Sequence, residues 1–293
     1  MSPSSRPGLL AQWPHYWRLM RFHRPIGIWL LLWPTLWALW FASDGRPSLH
    51  VFVVFVLGTV LMRAAGCVVN DFADRDFDPH VARTRDRPIA AGLVSTDEAI
   101  RLFAVLCLIA FGLTASLGST LVLWLSVPAV LLAALYPFTK RCISMPQAVL
   151  GLAFSWGIPM AWAAERGHVP WAEVVPLMAA NVCWVIAYDT FYAMADREDD
   201  LKIGVKSSAI LFGRLDRVVT GALQVVTLAI LAWIGRDLGW AWWTGLGVAA
   251  GLAIHQQWMV RDRDPARCFA AFLANNRFGA VVFLGLATDY LLI

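Results

Sequence analysis

The sequence predicts an all-α polytopic membrane protein, a bundle of about nine transmembrane helices with a polar pocket at its cytoplasmic side. The chain is 59% hydrophobic and only 15% charged, and its mean hydropathy of +0.61 excludes an ordinary soluble domain. Apolar stretches as long as a bilayer-spanning helix recur along it. Eight of its 20 acidic residues fall in two short clusters, which suggests one concentrated polar site.

Nine continuously apolar segments, each near the roughly 20 residues that a membrane-spanning helix needs, predict the helices. They are 26–42, 50–70, 99–117, 119–137, 147–164, 170–192, 218–235, 238–257 and 271–291. A β-barrel would instead show short alternating segments. Residues 1–25 lack the apolar core of a signal peptide and predict a cytoplasmic, interfacial segment. With no long linker, residues 1–293 are expected to form a single integral-membrane domain.

Basic residues predict the orientation in the membrane. Most Lys and Arg lie in the N-terminal segment and in the connections that follow the second, fourth, sixth and eighth apolar segments. The opposite connections hold only Arg46, Arg166 and Arg236. Positive loops stay in the cytoplasm, so the N-terminus and both acidic clusters are expected there, in a bacterial inner membrane. The bilayer is the expected surrounding, and the sequence suggests neither a nucleic acid nor an obligatory protein partner.

The acidic clusters, at 70–78 and 196–200, each contain two aspartates spaced by four. Such charges repel one another unless a cation gathers them, and Mg²⁺ prefers oxygen ligands. The alternative is solvated loop charges or helix caps. We expect two Mg²⁺ ions that share the oxygens of a diphosphate, with Asp71 just outside the coordination shell. The predicted ligands are Asn70, Asp74, Asp78, Asp196 and Asp200.

Helical spacing arranges further polar residues behind these carboxylates, provided that the helices continue past the bilayer edge. One face of the helix that leads into the first cluster would carry Arg63, Asn70, Asp74 and Asp78. One face of the helix that leads into the second cluster would carry Tyr188, Tyr192, Asp196 and Asp200, with Asp189 on a neighbouring stripe. Facing each other, the two helices would line the polar pocket.

Six further residues have two interpretations each. Arg75, Lys140, Arg141 and Arg197 are candidate phosphate clamps, although any one could be an ordinary topology charge. Arg63 lies within an apolar helix, where it is either a structural ion pair or an anchor for an anionic substrate such as a carboxylate. Asp189 either accepts a helix–helix hydrogen bond or contacts a phenolic substrate. A pocket with these groups suits a lipid diphosphate, whose departure leaves an allylic carbocation.

The motif NDxxDxxxD at 70–78 and the motif DxxxD at 196–200 resemble the two signatures of the UbiA superfamily of intramembrane prenyltransferases. The flanking sequence resembles the 4-hydroxybenzoate polyprenyltransferase branch, which acts in ubiquinone synthesis. The segments that carry this resemblance are GCVVND from Gly66, RTRDRPI from Arg83, LYPFTKR from Leu135, GLAFSWGIP from Gly151 and YDTFYAMADREDD from Tyr188.

The resemblance implies transfer of a polyprenyl group from polyprenyl diphosphate to 4-hydroxybenzoate, ortho to the phenol, by Mg²⁺-assisted ionisation and electrophilic aromatic substitution. The motif aspartates would hold the Mg²⁺–diphosphate, and Lys140 and Arg141 match the basic pair of the family. Either Arg63 or Arg141 would bind the benzoate carboxylate, and Asp189 would polarise the phenol. The prenyl tail would leave through a lateral opening into lipid.

Three alternatives stay open at the level of sequence. The acceptor could be a naphthoate, homogentisate, chlorophyllide or haem instead. A divalent-cation transporter would also need acidic residues, but it predicts polar residues across the whole membrane rather than on one side. A membrane phosphatase would need no aromatic acceptor and would release inorganic phosphate.

Overall fold

The computed structural model describes residues 9–76, 78–80 and 84–292, and within these ranges the chain is helical with no strand. The predicted all-α class is therefore confirmed. The helices are α1 (Leu9–Leu19), α2 (Ile26–Ala42), α3 (Leu49–Ala73), α4 (Thr96–Ala115), α5 (Thr120–Cys142), α6 (Pro146–Ser155), α7 (Gly157–Arg166), α8 (Trp171–Ile203), α9 (Ser208–Phe212), α10 (Asp216–Ile234), α11 (Trp240–Met259) and α12 (Pro265–Leu292).

The chain is an integral, multi-pass membrane protein. Each of the nine predicted apolar ranges overlaps a helix. Among the described residues, six helical segments are long and apolar enough to cross a bilayer, and α2 is a shorter apolar helix. The six segments are Leu49–Ala73, Thr96–Ala115, Thr120–Thr139, Trp171–Ile203, Ser208–Ile234 and Pro265–Leu292. An arrangement of nine spans therefore remains a prediction.

The predicted span 147–164 is broken into two helices, α6 and α7, which meet at Trp156. Pro159 explains the break, because it has no N–H to donate to the carbonyl of Ser155 and its ring crowds that carbonyl. The Ser155 hydroxyl donates to the Gly151 carbonyl at 2.7 Å and accepts from Asn181 Nδ2 at 2.9 Å. A side-chain hydrogen bond thus joins the end of α6 to α8.

Helix α8 lies at the centre of the bundle and packs against α6, α10 and α12. Its Trp184 is fully buried, with ring centroids 5.2 Å from Trp37 and 5.3 Å from Phe278. The indole Nε1 donates to Asn275 Oδ1 at 2.9 Å, so the ring is held both by aromatic contacts and by a hydrogen bond at its polar edge. This contact fixes the rotation of α8, on which the polar residues beyond Trp184 depend.

Candidate active site

A cavity of about 1800 Å³ is lined by residues from the α1–α2 turn, from each of the helices α2 to α8 and from the start of α12. It brings together most of the site residues that the sequence predicts. Those lining it are Arg63, Asn70, Asp71, Asp74, Asp78, Arg141, Tyr188, Asp189, Tyr192, Asp196 and Asp200. Residues 122 positions apart in the chain therefore share one space.

The first acidic motif does not continue along a single helix, contrary to the expectation from its spacing. Helix α3 ends at Ala73 with Asp74 as its C-cap, and Asp78 begins a short 3-10 turn. Pro79 prevents one regular helix from carrying the whole motif, because it has no N–H to donate to the carbonyl of Arg75. Asn70 Nδ2 donates to Asp74 Oδ2 at 3.2 Å, and the Asp78 backbone N–H donates to the Asp74 carbonyl at 2.9 Å. The turn thus keeps Asp78 beside Asp74.

Arg87 binds the three aspartates of this motif at once. Its Nη1 lies 2.8 Å from Asp78 Oδ2, 3.2 Å from Asp71 Oδ1 and 3.9 Å from Asp74 Oδ2. Burial raises the pKa of Asp78, and the Arg87 guanidinium opposes that rise without cancelling it. The carboxylates therefore converge on one shared positive group.

The carboxylates of the first motif converge on one cation, as they would have to around a divalent ion. This set of oxygen donors therefore fits Mg²⁺. Within the described ranges, no three histidine, cysteine or acidic side chains form a ready-made metal centre. Mg²⁺ commonly takes one or two carboxylates and completes its octahedron with water and substrate phosphate. The site therefore fits a metal that arrives with a diphosphate better than a permanently bound one.

Asp71 is held from the other side by Arg21, in the α1–α2 turn. The Arg21 Nη2 atom lies 2.5 Å from Asp71 Oδ1, and Asp71 is only 1% exposed. Burial lowers the pKa of Arg21, but the Asp71 carboxylate, together with Cys67 and Tyr192, more than offsets it, so the pKa is raised overall. Arg21 has a φ of 58°, a left-handed conformation that is costly for a side chain of this size. This pair ties the N-terminal segment to the acidic motif.

The second acidic motif is on a continuous helix, as the spacing predicts. Helix α8 runs unbroken from Trp171 to Ile203 and ends at Gly204, whose φ of +72° requires a glycine. Tyr188 is 1% exposed and its hydroxyl has no hydrogen-bond partner in the described part of the chain. Tyr192 packs against Phe272, with ring centroids 5.1 Å apart. Along α8, the residues that line the cavity thus change from carboxylates to aromatic side chains within about three turns.

The predicted phosphate clamps lie in different surroundings. Arg141 lines the cavity and donates through Nη2 to the carbonyl of Ala73, next to Asp74. The side chain of Lys140 lies outside the described part. Lys206 also lines the cavity, and its Nζ donates to the Cys142 carbonyl at 3.1 Å.

Arg197 differs from the other candidate clamps, because it is not among the residues that line the cavity. Its Nη1 lies 3.6 Å from Asp216 Oδ2 and 3.5 Å from the carbonyl of Gly213. One step along a helix rotates a side chain by about 100°, so the residue after Asp196 faces a different neighbour. Arg197 therefore links the end of α8 to the start of α10, and its role as a phosphate clamp stays a prediction.

Asp216, at the start of α10, is fully buried and accepts three hydrogen bonds from Arg263 (Nε and Nη2) at 2.7–3.1 Å. No motif or spacing in the sequence singles it out. These hydrogen bonds raise the pKa of Arg263. Asp216 thus joins the end of α8, the start of α10 and the α11–α12 connection, which surround the second acidic motif.

We expect Asp216→Asn to lower the melting temperature of the purified protein, since it removes one partner of a buried charge pair. The cost should be about 2 kcal/mol, below the full value for a buried pair because Arg263 is partly exposed. Intrinsic tryptophan fluorescence during heating would measure it. Asp262→Asn is the matched control, because Asp262 is 59% exposed and pairs with Arg261 at the surface. Equal melting temperatures for both variants would contradict the anchoring role.

Arg63 lies deeper in the cavity, within α3. Its Nη1 donates to Cys67 Sγ, one turn further along the helix. Its Nε is buried and has no hydrogen-bond partner among the described residues. A buried donor without a partner is costly, so the guanidinium is expected to adjust its position and gain an acceptor when an anionic ligand binds. With Tyr188 and Ser207, the cavity is lined by three residues that each have a buried polar atom without a hydrogen-bond partner among the described residues.

Comparison with known proteins agrees with this geometry. Residues 31–282 match the model of the UbiA prenyltransferase family. A 4-hydroxybenzoate octaprenyltransferase of Methylococcus capsulatus is 59% identical over 281 residues, 94% of each chain. One of Pseudomonas aeruginosa is 56% identical over 95% of each chain.

Solved structures show the same fold. A UbiA homologue from Aeropyrum pernix K1 superposes with a TM-score of 0.79 at 26% identity, over 90% of this chain and 97% of that one. A UbiA homologue from Archaeoglobus fulgidus, bound to GPP and Mg²⁺, superposes with a TM-score of 0.71 at 17% identity, over 95% of this chain and 100% of that one. The chain therefore belongs to the UbiA prenyltransferase family.

Proposed function

We propose that this protein transfers a polyprenyl group from a polyprenyl diphosphate to 4-hydroxybenzoate, ortho to the phenol, giving 3-polyprenyl-4-hydroxybenzoate and diphosphate in ubiquinone biosynthesis. The observation that carries the proposal is the shared cavity, which unites both acidic motifs with Arg63. The relatives named as 4-hydroxybenzoate octaprenyltransferases support this acceptor and suggest an octaprenyl donor.

Asn70, Asp74 and Asp78 would hold one Mg²⁺ ion, and Asp196 and Asp200 a second, each completed by diphosphate oxygens and water. The Archaeoglobus fulgidus homologue with bound Mg²⁺ supports this cofactor. When bound, the metal makes diphosphate a better leaving group. Arg141 adds positive charge beside the same carboxylates and would neutralise the oxygens of the leaving group.

The acceptor would bind deeper, between α3 and α8. Arg63 is seven residues before Asn70, about 10 Å along a helix that rises 1.5 Å per residue, so its guanidinium is available to the benzoate carboxylate. Asp189 would accept the hydrogen bond of the phenol and raise electron density at the ortho carbon. Tyr188, Tyr192 and Tyr136 would exclude water and present aromatic faces to the allylic cation.

We further propose nine membrane spans, with α6 and α7 forming one broken span and α1 lying at the interface. The distribution of Lys and Arg supports a cytoplasmic N-terminus, and hence an active site that opens to the cytoplasm of a bacterial inner membrane. Residues 1–293 would act as a single domain without an obligatory protein partner. The aliphatic tail of the donor would extend from the cavity through a lateral opening between helices into the lipid. The cavity would then not have to enclose the whole tail.

Metal removal provides the first test. Purified protein in lipid, given geranyl diphosphate and 4-hydroxybenzoate, should form a prenylated benzoate with Mg²⁺ and none with EDTA, as measured by mass spectrometry. Adding excess Mg²⁺ back should restore turnover. A product that forms equally in EDTA would contradict the metal site. Diphosphate release that requires a different aromatic acceptor would retain the reaction and replace 4-hydroxybenzoate.

A further inference from the structure

The guanidinium of Arg63 lies directly against the backbone of α2 at Gly27. A Cβ atom added at Gly27 would overlap the Nε, Nη2 and Cζ atoms of Arg63, far inside van der Waals contact. Gly27 is buried and lines the same cavity as Arg63. A Cβ at Gly58 or Gly66, which also line the cavity, would meet no atom within 4 Å. A Cβ at Gly157, another glycine of the cavity, would meet Thr35 Oγ1 at 3.1 Å, so the overlap at Gly27 is the severest among the glycines that line the cavity.

Backbone conformation does not account for this glycine. Gly27 is the second residue of α2 and is not among the glycines with positive φ. A glycine in a helix costs roughly 1 kcal/mol relative to alanine, so its presence here works against helix stability. What it provides is room, which the Arg63 side chain occupies.

We infer that Gly27 is a positioning residue that sets where the Arg63 guanidinium stands, and thereby how well the cavity binds an acceptor carboxylate. This rests on the proposed function, in which Arg63 binds that carboxylate. With no side chain at position 27, the guanidinium withdraws against α2 and leaves the cavity open in front of it. An alanine would push the guanidinium into the space that the benzoate ring needs. A small displacement is enough, because a two-pronged contact between arginine and carboxylate depends on geometry.

The test is Gly27→Ala in the full-length protein, with binding measured as well as turnover. Equilibrium binding of 4-hydroxybenzoate, without donor or metal, should weaken about tenfold, and the acceptor KM should rise by a similar factor. The donor KM, measured with geranyl diphosphate, should stay within about twofold. Binding of methyl 4-hydroxybenzoate, which lacks the charge, should change much less. Gly112→Ala is the matched control, since Gly112 is an exposed residue of α4 that does not itself line the cavity, with no atom within 4 Å of an added Cβ.

A double variant separates positioning from a general loss of structure. In an Arg63→Ala background, Gly27→Ala should have no further effect on acceptor binding, because the group that it displaces is gone. An equal effect in both backgrounds, or equal losses for acceptor and donor, would overturn the inference. If Gly27→Ala alone fails to fold, the double variant should fold, since the overlap has been removed. A double variant that also fails would overturn it.

Different results would contradict the proposed function and the positioning role of Gly27. If the wild-type protein neither binds nor prenylates 4-hydroxybenzoate, the acceptor is wrong and the role of Gly27 in binding it falls too. If Arg63→Ala weakens acceptor binding but Gly27→Ala leaves it unchanged, the function stands and only the positioning role is overturned.

Discussion

Replacing Asp74 or Asp196 by asparagine is expected to lower kcat by about a thousandfold or more, with little change in membrane insertion. Each substitution removes one negative charge from a different acidic motif while keeping the size of the side chain. The remaining groups would hold Mg²⁺ and diphosphate poorly, and the charge that develops on the leaving group would lose its main stabilisation. Turnover of geranyl diphosphate and 4-hydroxybenzoate at saturating Mg²⁺ would measure the effect.

Each motif contains its own control residue. Asp76 is 67% exposed and pairs with Arg75 rather than lining the cavity, and Glu198 is exposed on the same helix as Asp196. Asp76→Asn and Glu198→Gln should therefore keep near wild-type turnover. The size-exclusion profile in detergent should be the same for all four variants. Full activity in both cavity variants would refute the metal assignment, and loss in the two controls alone would move it to other carboxylates.

Periodicity predicted the second acidic motif well because α8 is a long, regular helix. Tyr188, Tyr192, Asp196 and Asp200 are spaced by four, and a continuous helix must place such residues on one stripe. The all-α class followed from composition in the same way, because a bilayer interior leaves every backbone polar group to be satisfied within its own helix. Periodicity and composition were sufficient wherever a single regular helix determines where the residues lie.

Other features depend on contacts between distant segments, which spacing cannot predict. Arg21 and Arg87 reach Asp71 from two separate connections, and in the sequence they resemble the basic loop residues that determine topology. The one available signal was Asp71 itself, an aspartate inside an apolar helix that needs a counter-charge.

Two local features also escaped the helical spacing. Asp196 lines the cavity, whereas its neighbour Arg197 faces Asp216, so the structure gives no support to the phosphate-clamp role predicted for Arg197. Pro79 could have indicated that no regular helix continues through the whole first motif, because it has no N–H to donate to the carbonyl of Arg75. A periodicity of four therefore holds only as far as the helix that carries it.

Arg63→Ala is expected to raise the acceptor KM, measured with 4-hydroxybenzoate, by about 30- to 100-fold. This is equivalent to a loss of about 2 to 2.7 kcal/mol from hydrogen bonds to a charged group. The donor KM should stay within about twofold, because the diphosphate would bind some 10 Å nearer the end of α3. Arg63→Lys should give an intermediate value, since lysine keeps the charge but not the planar fork. Initial rates with each substrate varied in turn would separate the two constants.

Arg141→Ala should show the reverse pattern and decides which arginine binds the carboxylate. Its guanidinium bonds to the Ala73 carbonyl, beside Asp74, so its loss should raise the donor KM and lower kcat while the acceptor KM changes little. Arg101→Ala is the control, since Arg101 is an exposed residue of α4 that bonds to the carbonyl of Asp97. If Arg141→Ala raised the acceptor KM and Arg63→Ala did not, the carboxylate would bind at the end of α3. Arg63 would then be a structural charge whose buried Nε is satisfied by water, and the acceptor would lie across the mouth of the cavity instead of within it.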